Sequence, residues 1–315
     1  MAPHQTAYDV EDKVAIVTGA GSGINHALTE ILLQNGCSVV MVDLRLRPEA
    51  EATLLKYPHP APDAGKPSAI FLQTDLADWA QLQSLFDRSV AAFGKVNIVV
   101  NGAAVYEPPW STFWNAPGIS PHASDSVDCN PGVYKLFAIN TMAPIRLSQI
   151  AMDYWLQNRD IQGNLMWVAS VTGYVHMMQT PLYCSSKAAI ISIAKSFGPL
   201  RQMFGIRNAA ACPGPTKTPL FDQDYCRDQL LPTDIGLTQG QAAEEIFKIL
   251  TEAKYGDGNI VEIVAISETQ VESSVQTREV VLESLYPNLL GNHHLEENQR
   301  FSEKLMEKGM RDWMN

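Results

Sequence analysis

Seven short apolar stretches punctuate the chain, at residues 13–17, 38–42, 69–73, 97–100, 164–169, 207–212 and 259–264. The first, KVAIV, is apolar and β-branched without alternation, as expected of a strand buried on both faces. Helical periodicity fills the gaps between such runs. Ile24, Ala27, Leu28, Ile31 and Leu32 share one face until Gly36 ends the pattern. Asp78 reads as an N-cap for a second helix that turns Leu82, Leu85, Phe86 and Val90 inward. Residues 131–160 predict a long helix with Pro131 in an early turn. Further helices are predicted from Tyr183 through Phe197 and over 239–253. Strands alternating with helices make an α/β fold with a parallel sheet.

Three segments break the pattern. Residues 47–66 are rich in proline and predict a short helix at most, then a surface loop. Residues 105–130 combine prolines, Trp110, Trp114 and several turn formers, and predict a long loop. Aromatic side chains on a loop beside a binding site point to ligand contact. Residues 215–237 predict a covering segment. Residues 268–315 read as a charged C-terminal extension with a weak helical pattern (Leu295, Phe301, Leu305, Met310), leaving 1–267 as a single domain.

The chemistry concentrates in two places. Between the first strand and the first helix lies TGAGSGIN, residues 18–25, and the second strand ends at Asp43. Glycines at such a turn let the backbone approach a pyrophosphate, which the free N–H groups of the helix N-terminus then meet. An acid at the end of the next strand accepts hydrogen bonds from adenosine ribose hydroxyls and repels a 2′-phosphate, which favours NAD over NADP. Arg45 and Arg47 read as solvated loop charges. The second place is 170–187, SVTGYVHMMQTPLYCSSK. It offers a hydroxyl at Ser170, where a strand ends, a phenol at Tyr183, and an ammonium one helical turn on at Lys187. A neighbouring positive charge favours the phenolate, so the pair is a candidate acid/base unit.

These stretches resemble the short-chain dehydrogenase/reductase (SDR) family. TGAGSGI is similar to its cofactor loop, with Gly19 and Gly23 matching two of three glycines and Asn25 in the place of the third. NGAA at 101–104 is similar to the family's NNAG, with Gly102 and Ala104 as departures, and Ser170, Tyr183 and Lys187 match its Ser…Tyr-x-x-x-Lys pattern. The resemblance implies a Rossmann-type doubly wound parallel sheet of about seven strands with helices on both faces. It implies an NAD site built from Gly19, Ser22, Gly23, Ile24, Asp43, Asp75, Leu76, Asn101, Ala103, Tyr183 and Lys187, with Pro213, Gly214, Thr216 and Thr218 at the nicotinamide end. It also implies a catalytic tetrad of Asn140, Ser170, Tyr183 and Lys187, Asn140 holding a water bonded to the lysine at a helix kink. Substrate contacts are expected from Trp110, Phe113 and His176. The activity implied is the NAD-dependent interconversion of a secondary alcohol and a ketone on a bulky apolar or aromatic metabolite, as in fungal secondary-metabolism members of the family and in 15-hydroxyprostaglandin dehydrogenase-like members. An NADPH-dependent ketoreductase and a nucleotide-binding scaffold without redox work are the alternatives. The family often forms dimers or tetramers.

Composition narrows this further. A net charge of −11 and a pI near 5.1 speak against nucleic acid and anionic membrane surfaces as partners, leaving a small-molecule substrate. Five scattered cysteines show no metal-type spacing, and His293-His294 lacks partners for one. No secretory signal or spanning apolar run is visible, and a reducing cytoplasmic setting is expected.

Overall fold

The seven apolar stretches become β1 (Val14–Thr18), β2 (Ser38–Asp43), β3 (Ala69–Gln73), β4 (Ile98–Asn101), β5 (Asn164–Val168), β6 (Arg207–Pro213) and β7 (Asp257–Ser267). The computed structural model describes residues 6–231, 233–267, 273–281 and 292–310. Counting an eighth strand, β8 (Ser273–Glu279), the order is β3-β2-β1-β4-β5-β6-β7-β8, parallel from β3 to β7. Alternation within β1 shows why the run had to be apolar throughout. Val14 and Ile16 enter the core on one face of the sheet, Ala15 and Val17 the core on the other.

Helices cover both faces. α1 (Gly23–Gln34), α2 (Pro48–Lys56) and α8 (Gln239–Thr251) contribute Leu28, Leu32, Ala50, Ile246 and Leu250 to one core. α3 (Trp79–Phe93), α5 (Ala143–Gln157) and α6 (Pro181–Ser196) contribute Leu82, Phe86, Leu147, Trp155 and Ile190 to the other. Trp155 is fully buried, and its indole N–H is satisfied by the Val96 carbonyl at 2.8 Å, which fixes α5 against the sheet. Asp78 caps α3 as the sequence implies, accepting from the amides of Ala80 and Gln81. Among the described residues no helix is long and apolar enough to cross a membrane.

The structure differs from expectation in three places. The helix expected from Pro131 starts at α4 (Lys135–Phe137) and passes through a π-helical turn, Ala138–Met142, into α5. Its start is set by tertiary caps: Asp125 accepts from the Lys135 amide at 2.8 Å and Ser111 from the Leu136 amide at 3.1 Å. Second, β7 runs on through Ala265, Ile266 and Ser267, and the sheet has an eighth strand, β8 (Ser273–Glu279), antiparallel to it. Part of the predicted C-terminal extension thus belongs to the sheet. Val275 is the single apolar residue of SSVQTRE, too little to show a period of two. Third, α9 (Asn292–Lys308) packs against α7 (Leu200–Phe204), burying Leu305, while Phe301 is exposed. The side chains of Leu295, His293 and His294 lie outside the described residues.

The sheet winds outward from β1 to β3, then returns to β4 on the other side of β1. The carboxyl ends of β1 and β4 therefore part company, and their loops leave a crevice between them.

Candidate active site

A cleft of about 790 Å³ runs along the carboxyl edge of the sheet, from Asp43 at one end to Tyr183 at the other. At the Asp43 end the carboxylate organises the glycine loop. One oxygen accepts from the Gly21 amide at 3.0 Å and the other from the Leu44 amide at 2.7 Å. Burial raises its pKa, opposed by those backbone hydrogen bonds. A Cβ on Gly21 would run into the Arg45 carbonyl and sit 2.8 Å from the Asp43 carboxylate, so only glycine fits there. Gly21 lies outside the family's glycine pattern, which is why the sequence did not mark it. Ser22 precedes α1 in an extended conformation and makes no side-chain cap. The amides of Gly23 and Ile24 thus start a helix whose end faces the cleft.

Thr18 ties this loop to the end of β4. Its hydroxyl donates to the Val100 carbonyl at 3.1 Å and accepts from the amides of Gly102 and Ala103 at 2.9 and 3.2 Å. The two departures from the family pattern meet at this junction. A Cβ on Gly102 would collide with the Asn25 side chain, and one on Gly19 would lie 2.9 Å from the Asn25 amide nitrogen and from the Ala103 Cα. Asn25 stands where the family has glycine, and Gly102 where the family has asparagine. The side-chain volume has moved from one loop to the other across the same space. Asn25 Oδ1 is buried and has no hydrogen-bond partner among the described residues.

At the far end, Ser170 follows β5, Tyr183 is the third residue of α6, and Lys187 lies one turn further on. The Lys187 ammonium lies 5.7 Å from the Tyr183 ring centroid and donates to the Val168 carbonyl at 2.9 Å. The expectation that Lys187 would draw the phenol toward ionisation meets a stronger opposing effect in this site. Burial raises the Tyr183 pKa, with the Ser170 hydroxyl pulling it back. The same burial lowers Lys187 from the usual 10.5 to about 8. The phenol is therefore protonated, and the lysine titrates close to neutrality.

Asn140 sits in the π-helical turn, where the backbone departs from regular helix. Its side chain is fully used: it accepts from the Val105 amide and donates to the Val105 carbonyl, each at 2.9 Å, and reaches Ser186 at 3.2 Å. Ser186 in turn donates to the Tyr183 carbonyl at 2.7 Å. Asn140 thus joins the loop after β4 to the helix bearing Tyr183.

Of the expected cofactor residues, Gly19, Ser22, Gly23, Ile24, Asp43, Asp75, Leu76, Ala103, Tyr183, Lys187, Pro213, Gly214, Thr216 and Thr218 all line the cleft. Asn101 does not: its amide donates to Ser148 on α5 at 3.0 Å, away from the cleft. Among expected substrate contacts, Trp110 lines the cleft. Phe113 is 53 % exposed, stacked edge-on against Trp114, and His176 is exposed on the neighbouring loop. Neither reaches the cleft. Sequence reasoning missed Tyr106, whose ring meets Tyr183 edge-on at 4.8 Å and Phe221 at 5.2 Å. It also missed Leu220, Phe221 and Tyr225, which line the cleft from the covering segment. Arg47 is not a free loop charge either: it forms an ion pair with Asp222 of that segment at 2.9 Å.

A model of the family described as short chain dehydrogenase matches residues 13–227. The 15-hydroxyprostaglandin dehydrogenase (NAD(+)) of Rattus norvegicus is 31 % identical over 68 % of this chain and 71 % of its own. The cis-4-hydroxycyclohexanecarboxylate dehydrogenase of Sinomonas cyclohexanicum is 29 % identical over 66 % and 75 % respectively. In fold, the chain is similar to the 3-ketoacyl-(acyl-carrier-protein) reductase of Brucella melitensis crystallised with NADH. That likeness has a TM-score of 0.64 and 21 % identity, over 81 % of this chain and 98 % of that one. With the glycine loop, Ser170, Tyr183, Lys187 and strands β1 to β6 all inside the matched residues, the chain belongs to the short chain dehydrogenases.

Proposed function

We propose that the protein is an NAD(H)-dependent oxidoreductase that interconverts a secondary alcohol and a ketone on a bulky, apolar or aromatic small molecule. The observation that carries this is one continuous cleft with the Asp43 carboxylate at one end and Ser170, Tyr183 and Lys187 at the other. The residues fit a dinucleotide. The glycine loop leaves room for backbone approach, α1 offers unpaired amides, and Asn25 Oδ1 is an acceptor awaiting a donor. Asp43, Asp75 and Leu76 would hold the adenosine half, and Lys187, Pro213, Gly214, Thr216 and Thr218 the nicotinamide half. Bound there, NAD supplies the hydride acceptor.

The chain's own groups handle the proton. Tyr183 exchanges a proton with the substrate oxygen, and Ser170 donates a hydrogen bond to that same atom. The raised phenol pKa keeps Tyr183 protonated, ready to donate to a carbonyl. In the alcohol-oxidising direction the phenol must first release its proton to solvent, which the charge of Lys187 favours, and the phenolate then takes the alcohol's hydroxyl proton. With the Asn140 side chain engaged by Val105 and Ser186, a proton-relay water at the π-helical turn would be held by the backbone there. The substrate end is walled by Tyr106, Trp110, Met177, Leu220, Phe221 and Tyr225, which supports an apolar or aromatic substrate. Homo-oligomerisation would use the face of α3 and α5, where Phe86, Val90, Ile150 and Tyr154 line a groove of about 610 Å³. The five free thiols support a cytoplasmic setting.

Two tests follow from the site's electrostatics. Asp43→Ser is expected to weaken NAD binding about 10- to 100-fold, the value of a charge-assisted hydrogen bond, and to narrow the preference over NADP. Calorimetric titration with both nucleotides measures this, and an unchanged NAD:NADP ratio would remove Asp43 as the discriminator. The Lys187 shift adds a pH dependence. The ammonium is charged below about 8 and loses its proton as pH rises through that value. A charged donor binds a ribose hydroxyl more tightly than a neutral amine. NAD affinity is therefore full on the acid side and falls as pH rises through that window, and Lys187→Met removes the inflection. A flat wild-type profile contradicts the assignment.

A further inference from the structure

We propose that Glu107, on the loop after β4, is a positioning residue that sets the catalytic helix and the substrate loop in one register; this rests on the dehydrogenase reading above. Glu107 is 5 % exposed, and all its polar contacts are internal. One carboxylate oxygen accepts from the Tyr183 amide at 2.8 Å. The other accepts from the Thr112 hydroxyl at 2.9 Å and the Phe113 amide at 3.1 Å. The carboxylate thus grips the reacting residue's own backbone with one arm and the substrate loop with the other.

The local structure explains why this carboxylate is needed. α6 begins with Pro181, and Thr180 at its N-cap position makes no side-chain cap. The Tyr183 amide, in the first turn, has no partner within the helix. Glu107 supplies it from 76 residues away in sequence, as an N-cap delivered in trans. Negative charge at a helix N-terminus is favourable on its own account. The price is backbone conformation: Glu107 has φ +37°, a region that residues with side chains rarely adopt. Such conformations persist where the surroundings over-determine them, and three hydrogen bonds do so here.

The second arm reaches the ligand side. Thr112 and Phe113 close a short loop around Trp110, which lines the cleft. Just before Glu107, Tyr106 lies edge-on against the Tyr183 ring at 4.8 Å. The same loop caps α4 through Ser111 and Asp125. Both helices that carry candidate catalytic residues therefore take their first turns from the substrate loop. Any movement of that loop is transmitted to the phenol through Glu107.

The test separates the two arms. Glu107→Ala removes both and is expected to lower kcat about 10²-fold, the effect of a misplacement near 1 Å, while NAD affinity stays within about twofold because the glycine loop is untouched. Glu107→Gln keeps a carbonyl acceptor and is expected to restore at least about tenfold of that loss. Thr112→Val weakens only the loop arm, removing one of its two hydrogen bonds, and is expected to raise KM with kcat retained. A readout independent of turnover accompanies these: amide hydrogen exchange of the peptides spanning 105–115 and 181–187 accelerates together in Glu107→Ala. If the two peptides respond independently, or if Glu107→Ala folds and binds NAD with unchanged kcat, the proposal is overturned. Coupled exchange in a wild-type protein that transfers no hydride would instead overturn the dehydrogenase reading and leave the coupling standing.

Discussion

Tyr183→Phe is expected to bind NAD as the wild type does and to transfer hydride about 10³-fold more slowly, or worse. The substitution removes one oxygen and little else. The ring is buried, packed edge-on against Tyr106 at 4.8 Å, with the Lys187 ammonium 5.7 Å from its centroid. A phenyl ring keeps each of these contacts. The backbone amide still reaches Glu107 and the carbonyl still accepts from Ser186. Fold and cofactor cleft are thus preserved, and the loss falls on proton transfer alone. Nucleotide titration paired with initial rates separates the two. Wild-type-like turnover in a protein that binds NAD normally would sink the role given to the phenol.

The second large effect is expected at the junction of the two loops. Gly102→Asn returns the family's residue to its usual place, yet should destabilise this protein by about 1–3 kcal/mol, as overpacking of a filled site does. The added Cβ meets the Asn25 side chain, which is buried and hemmed in by Gly19 on its other side. NAD binding should suffer in parallel, because Gly19, Asn25 and Gly102 all line the cleft. Asn25→Gly alone opens space and leaves backbone freedom, a smaller loss. The double variant Asn25→Gly with Gly102→Asn should recover stability and NAD affinity relative to Gly102→Asn. Thermal unfolding and nucleotide titration around this double-mutant cycle measure the coupling. Additive effects would show the two departures to be unrelated.

The cycle also illustrates what a linear sequence conceals. Asn25 and Gly102 are each visible as departures, but their compensation is visible only once β1 and β4 lie side by side. The parallel strands were legible because burial on both faces demands uninterrupted apolar runs, as in VAIVT of β1. β8 was not, since it leans on β7 through backbone hydrogen bonds and offers Val275 alone to the core. The onset of α4 was misplaced because Asp125 and Ser111, distant in sequence, cap it. Asn101 matched a motif, yet its side chain turns to Ser148 on the far side of the strand. Tyr106 and Glu107, in contact with Tyr183, follow a matching motif but belong to none. Motif spacing located Ser170, Tyr183 and Lys187, which the structure brings to one end of the cleft. Their supports come from loops, whose placement is a property of the packed structure.

Under the proposed function, this cleft moves hydride between a secondary alcohol and NAD, with Tyr183 handling the proton. The most direct measurement is label transfer. Purified protein is incubated with NAD and a panel of apolar and aromatic secondary alcohols deuterated at the carbinol carbon, and the recovered nicotinamide is read by mass spectrometry. The predicted result is deuterium on the nicotinamide from at least one alcohol, lost in Tyr183→Phe. Saturation with NAD and no label from any alcohol or reverse transfer to the matching ketones would contradict it.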